Sequence, residues 1–326
     1  RKKMIIISCL VLCISFFSYS VAGSLNSLFV IGIVVALGLA LQSGCLIAWM
    51  VDRVKSIDEE FELRVAYVSG VSFRLYGMLC GVVLGGYIAK ISLVLPFLFA
   101  GTSFLVTAIL CAIIMEEGTE KRDGQDKFKL GKVVATIKTA IDECRSNTEL
   151  VFVLFLGFVW GFSSISIIMY WQPRYLHFGF DTGHLAWLYY GSVLMAILGV
   201  HVSRMVSGKM GVKKALFIVT VLASLGLFFE AISEILYLSI FMYYMHELAA
   251  GFYQPIYVDF INERIDKSVR VTVLSVCDTI EMIGAISGII ISGVLAVNFG
   301  IEVAWIFAAI LMLSLSVASY LKMKSI

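Results

Sequence analysis

Ten apolar runs divide this sequence from end to end. Each is long enough to cross a hydrocarbon core, which takes about 20 helical residues. They cover 4–22, 28–50, 68–90, 94–115, 150–171, 185–205, 213–230, 235–258, 271–297 and 301–321. In lipid, a helix satisfies its backbone N–H and C=O groups internally, whereas an open strand leaves them bare. The runs therefore predict an all-α polytopic membrane protein. Charge usage agrees, at 15% charged against 60% hydrophobic residues, where a soluble domain averages about 25% charged.

The runs are not independent. Gly77, Gly81, Gly85 and Gly86 in the third recur 207 positions later as Gly284, Gly288, Ser292 and Gly293 in the ninth. The same offset pairs Gly44 with Gly251, and Asp52 with Asp259. Small residues four apart share one helix face, where a neighbouring helix can come very close. A single offset that keeps both the small face and an end-of-helix acid predicts a duplicated unit. Runs one to four pair with runs seven to ten, and runs five and six have no counterparts. Six spans per half would place two further helices before Arg1. Arg1-Lys2-Lys3 and the apolar stretch after it also fit a signal peptide. The repeat favours a retained helix, because Val212-Lys213-Lys214 opens the seventh run in the same way.

Basic residues set the expected orientation. One side of the alternating loops holds 23 of the 25 Lys and Arg residues; the other holds only Lys90 and Arg174. The excess marks the cytoplasmic side, with both termini and the 116–149 linker on it. The expected division is a four-helix bundle over 1–115, the linker, and a six-helix bundle over 150–326. Within the linker, Val133, Val134, Ile137 and Ile141 share a face. That pattern fits a surface-lying helix as well as a solvated tether.

This plan, two parallel repeats of six spans joined by a long cytoplasmic loop, is that of the major facilitator superfamily. The motifs carry a resemblance to it from its third helix to its twelfth. Gly81-Val82-Val83-Leu84-Gly85-Gly86 is similar to the Gly-Pro-x-x-Gly-Gly core of the fifth-helix antiporter motif, with Val82 in place of proline. Ser207-Gly208-Lys209-Met210-Gly211-Val212-Lys213-Lys214 resembles the second copy of the family's Gly…Asp-Arg-x-Gly-Arg-Arg loop, without its acid. Gln42-Ser43-Gly44 with Ala48–Asp52 resembles the fourth helix of bacterial drug or metabolite exporters. Gly251–Pro255, leading to Asn262-Glu263-Arg264, continues that likeness.

The resemblance implies alternating access about a central cavity, so polar residues at mid-depth become candidates. Glu247 lies 11 residues from the basic-side end of its run, about 16 Å deep, and Glu281 lies 10 residues from Val271, about 15 Å deep. Asp278 shares a face with Glu281, and Gln254 shares one with Glu247. A charge at such depth has to face protein or water. One reading makes Glu247, Glu281 and Asp278, with Gln254 and Gln42, a site for a proton, a cationic substrate, or both in alternation. The other makes the acids structural, bonded to hydroxyls or to His246. Trp171 and Gln172 close the fifth run, in an aromatic belt at the interface or as a wall of the cavity, with Pro173 expected to end the helix. At the basic ends, the resemblance implies a charge-paired latch of Asp52, Asp259, Arg53, Lys213 and Lys214; solvated caps are the alternative.

Nothing in the sequence predicts an enzyme, a cofactor or a metal site. The seven cysteines fall without a Cys-x-x-Cys spacing, and there is no phosphate-cradling Gly-Lys-Ser/Thr loop. The expected function is a secondary active transporter of the bacterial plasma membrane. It is read as a monomeric, proton-coupled exporter of a drug-like or small amphipathic metabolite that binds no nucleic acid. Proton-linked uptake of a sugar or similar nutrient is the alternative within transport. A receptor or remnant that does not transport is the alternative outside it.

Overall fold

Each of the ten runs contributes a helix to the structure, a computed structural model that describes residues 2–42, 45–46, 49, 53, 63–116, 148–265 and 270–324. In chain order these are α1 (Lys2–Tyr19), α2 (Leu25–Gln42), α3 (Leu63–Ile91), α4 (Leu95–Ile114) and α5 (Thr148–His177). Then come α6 (Thr182–Met210), α7 (Val212–Ile232), α8 (Leu236–Asn262), α9 (Arg270–Phe299) and α10 (Ile301–Lys324). Among the described residues there is no strand. Eight of the ten helices are long and apolar enough to cross a membrane. The other two are α3, whose apolar stretch is Tyr76–Ile91, and α8, which carries His246, Glu247, Gln254 and Asp259.

Glycine sets two of the reversals. Gly211 (φ 81°) and Gly300 (φ 97°) lie in the left-handed region between consecutive helices, a conformation that strains any residue with a Cβ. Proline behaves otherwise than expected. α5 runs through Pro173 to His177, and Phe178 N–H still reaches the Arg174 carbonyl at 3.4 Å. The missing N–H interrupts one rung, and bundle packing holds the helix on either side.

The chain forms two compact units. Unit 1 is 1–126 with 181–187, and unit 2 is 127–180 with 188–326. The surface helix expected at 130–144 lies outside the described residues, as do Gly44 and Asp52.

In unit 1, α1 packs on α2 and α4. Ser8 Oγ donates to the Gly38 carbonyl at 2.7 Å, and a Cβ on Gly38 would meet Leu12 at 2.9 Å. Ile5, Cys9, Ala108 and Met115 form the core. In unit 2, α5 sits between α9 and α10. On its α10 side, Trp305 Nε1 donates to the Ser166 carbonyl at 3.0 Å and Ser163 Oγ to the Ala308 carbonyl at 3.0 Å. On its α9 side the two backbones touch. An added Cβ on Gly284 would overlap the Phe158 carbonyl oxygen, and one on Gly161 would overlap the Glu281 carbonyl oxygen. The same reasoning covers Gly288, whose Cβ would fall 2.5 Å from the Phe162 carbonyl oxygen. Close contact between small residues supplies dispersion where lipid gives no hydrophobic drive between helices.

Candidate functional site

The backbone crossing of α5 and α9 delivers Glu281 to the middle of unit 2. Its Oε1 accepts a long contact from Gln254 Nε2 on α8, at 3.5 Å. Its Oε2 is enclosed and has no partner among the described residues. Sequence depth had grouped Gln254 with Glu247; the fold gives it to Glu281. Asp278 lies one turn along α9 and is exposed.

Beside this acid stands an aromatic stack. Trp160 of α5 lies on Tyr253 of α8 with centroids 3.8 Å apart and planes 8° from parallel. Tyr257 continues the stack at 5.1 Å, and its hydroxyl donates to the Val153 carbonyl at 3.4 Å. The Tyr253 hydroxyl is enclosed without a partner. The Trp160 ring also lies nearly parallel to His246, with centroids 6.3 Å apart. His246 Nδ1 lies 3.4 Å from Glu247 Oε1, and its Nε2 is buried with no partner. Glu247 is thus tied to His246, which the structural reading of the sequence had named.

The remaining candidates separate. Trp171 is buried, stacked on Tyr189 at 5.5 Å and Tyr243 at 6.0 Å; it is a packed side chain of unit 2. Gln172 is exposed, and Gln42 is half-buried in unit 1. Among the described residues, a Cβ on Gly293 would meet only the Tyr170 hydroxyl, at 3.9 Å. Gly77, Gly81 and Gly85 have nothing within 4 Å among the described residues, whereas a Cβ on Gly86 would overlap Ala186.

The charged ends pair inside each unit. Lys213 Nζ reaches Glu149 Oε1 at 3.1 Å, and Arg264 Nε reaches Glu149 Oε2 at 2.5 Å, joining the starts of α5 and α7 to the end of α8. The Arg264 guanidinium also lies 3.6 Å over the Phe260 ring. Arg53 pairs with Glu116 at 2.8 Å in unit 1. Asp259 and Lys214 are exposed.

Two groups that the sequence left unremarked stand out here. Glu149 opens α5 and so looks like an ordinary first-turn acid. Asp181 caps α6, taking the His184 N–H at 2.8 Å and the Lys90 ammonium at 2.9 Å. That N–H and that ammonium hold its carboxyl well below the usual carboxylate range.

Ten helices, eight of them long and apolar enough to cross a membrane, define a polytopic helical membrane protein. The profile of the Major Facilitator Superfamily matches residues 1–288, and the chain belongs to that family. Comparison with curated protein sequences gives no match. Among solved structures, a mutant of the nucleoside transporter NupG is similar at a TM-score of 0.82 and 12% identity, over 99% of this chain and 83% of that one. A bacterial homologue of the human lysosomal transporter Spinster, inward-facing and occupied, gives 0.66 and 14%, over 99% and 82%. At such identities the likeness shows the fold. The protein is a multi-pass membrane protein, a secondary transporter working by alternating access on a small-molecule substrate, and not an enzyme.

Proposed function

We propose that the protein is a proton-coupled exporter of a small amphipathic, ring-containing molecule, with proton and substrate competing for Glu281. The observation that carries this reading is the enclosed, unpartnered Oε2 of Glu281 beside the Trp160–Tyr253 stack. A lone oxygen in such a place binds either a proton or a donor group of a ligand, because leaving a charge there unpaired is costly. The stacked rings offer flat apolar surface to a planar substrate. Gln254 orients the acid, Glu247 with His246 forms a neighbouring polar pair, and Asp278 is a further group of this site in unit 2; Gln42 is a separate candidate in unit 1. Trp171 supports Tyr189 and Tyr243 behind the site, and Gln172 is the outermost candidate. We place the chain as a monomer in a bacterial plasma membrane; the basic-residue asymmetry supports an orientation with both termini cytoplasmic.

Purified protein in proteoliposomes tests the reading. Glu281→Gln should abolish substrate movement driven by a pH gradient while leaving substrate exchange intact. Unchanged gradient-driven flux removes Glu281 from coupling. Imposing the gradient in each direction, with a hydrophobic cation and a nucleoside as probes, separates export from uptake. Ligand-dependent thermal stabilisation without flux under any gradient would favour a receptor.

A further inference from the structure

The end of unit 2 away from Lys213 gathers a second polar cluster. Arg174 and Tyr175 come from the last turn of α5, Glu230 from the last turn of α7, Ser239 from the first turn of α8 and Glu302 from the start of α10. Glu230 is 0% exposed and Arg174 4%. The Tyr175 hydroxyl donates to Glu230 Oε1 at 3.3 Å and lies 3.2 Å from Ser239 Oγ. Arg174 Nη1 donates to Glu302 Oε1 at 2.7 Å, and its Nη2 to the Ser233 carbonyl at 2.7 Å. Among the described residues, two polar atoms of the cluster are enclosed and have no partner: Glu230 Oε2 and Arg174 Nε.

An orphan acceptor and an orphan donor in one cluster mean that this arrangement leaves one pairing unmade. Arginine stays charged, and Glu302, which is partly open to the surroundings at 44% exposure, takes its charge here. Glu230 then has no cation of its own. An ionised carboxylate with no cation and no exposure is far more costly than the neutral acid, which leaves only one hydrogen bond unmade. The groups facing Glu230 are Arg174 and Tyr175 of α5, Ser239, Tyr243 and Glu247 of α8, and Glu302 of α10 beyond Arg174. Two of these are acids, which adds to the case for a neutral Glu230. His177 and Glu234 at the same end are exposed.

We propose that Glu230 is a proton-binding site distinct from Glu281, with Arg174 shared between two acids. While Glu230 holds its proton, Arg174 sits on Glu302. When the O–H bond of Glu230 breaks, the proton passes to water and the electron pair stays on Oε2. That oxygen then accepts the Arg174 Nε–H, and Glu302 is released at the end of α10. Proton loss thereby changes the contacts among α5, α7 and α10 at one end of unit 2. The reading does not depend on Glu281 taking part in coupling.

Infrared spectroscopy of the full chain in lipid nanodiscs, titrated with pH, tests this through the carbonyl stretch of protonated carboxyls. Glu230→Gln should remove a component of the wild-type band at neutral pH that Glu281→Gln keeps. In Glu302→Gln the freed Arg174 favours ionised Glu230, so the band titrates away at a lower pH. A band unchanged in intensity by Glu230→Gln, or one that vanishes entirely in Glu281→Gln, overturns the proposal. So does a titration unmoved by Glu302→Gln. If Glu230→Gln does not fold, Tyr175→Phe takes its place. Removing the hydroxyl donor should shift the frequency of the band, and an unshifted band counts against Glu230 as its source.

Discussion

The two copies of the glycine stripe have met different fates. On α9, Gly284 and Gly288 are pressed against the backbone of α5, which answers with Gly161. On α3, Gly77, Gly81 and Gly85 meet nothing within 4 Å among the described residues, and only Gly86 is in close contact. The helix that fills the α9 stripe is α5, and α5 is one of the two spans without a counterpart in the repeat. A glycine stripe therefore records a face that can accept a helix; whether it is filled depends on the partner. Ion pairs divide the same way. Unit 1 holds Arg53–Glu116 and Lys90–Asp181 with every side chain 39% exposed or more. Unit 2 holds Glu149 with Lys213 and Arg264, each under 30% exposed, and Arg174 almost fully buried.

The largest effect should come from Gly284→Leu. A side chain there has to displace the Phe158 carbonyl, so overpacking should cost about 3 kcal/mol or more. A large drop in Tm of the solubilised protein checks it, and an unchanged Tm would break the comparison at its stronger side. Next comes Glu149→Gln, which strips the charge partner from both Lys213 and Arg264 in a partly buried cluster. The expected loss is about 1–3 kcal/mol, read from the same melt, and Glu116→Gln in unit 1 should fall well below it.

Asp181 gives a smaller effect that depends on pH. Its carboxyl is held below the usual range, so the stabilisation is present above that range and fades as pH falls through the lowered value. Asp181→Asn keeps a capping oxygen for the His184 N–H but gives up the charge on Lys90. Its melting curve should therefore lie slightly below wild type at neutral pH and converge with it in acid. Curves that stay parallel would sink the assignment. The smallest effect belongs to Gly81→Leu, which should stay within about 0.5 kcal/mol of wild type in this chain. A loss comparable to that of Gly284→Leu would show that the α3 stripe is filled after all.

The ten helices, their approximate limits and the family were legible in the sequence, because apolar length and a repeated small-residue face follow from local chemistry. So was Glu281 as a candidate, since an acid 10 residues into an apolar run is rare in lipid. Its true partner was not: Gln254 falls seven residues from Glu247, and only the placing of α8 against α9 gives it to Glu281. Pro173 was read as a stop from its missing N–H, yet packing carries α5 past it.

Glu230 marks the limit of sequence reading most clearly. It closes the 213–230 run, where an acid looks like an ordinary membrane-end charge, and its complete enclosure depends on Tyr175, 55 positions away, and Ser239. Arg174 was visible only as one of two basic residues on its side, whereas the fold buries it against Ser233 and Glu302. The sequence alone determined which segments enter the membrane, because that depends on each segment's own transfer from water to lipid. Only the tertiary structure decided which polar atoms are paired and which are left bare. Pairing is a property of neighbours, and the neighbours come from other helices.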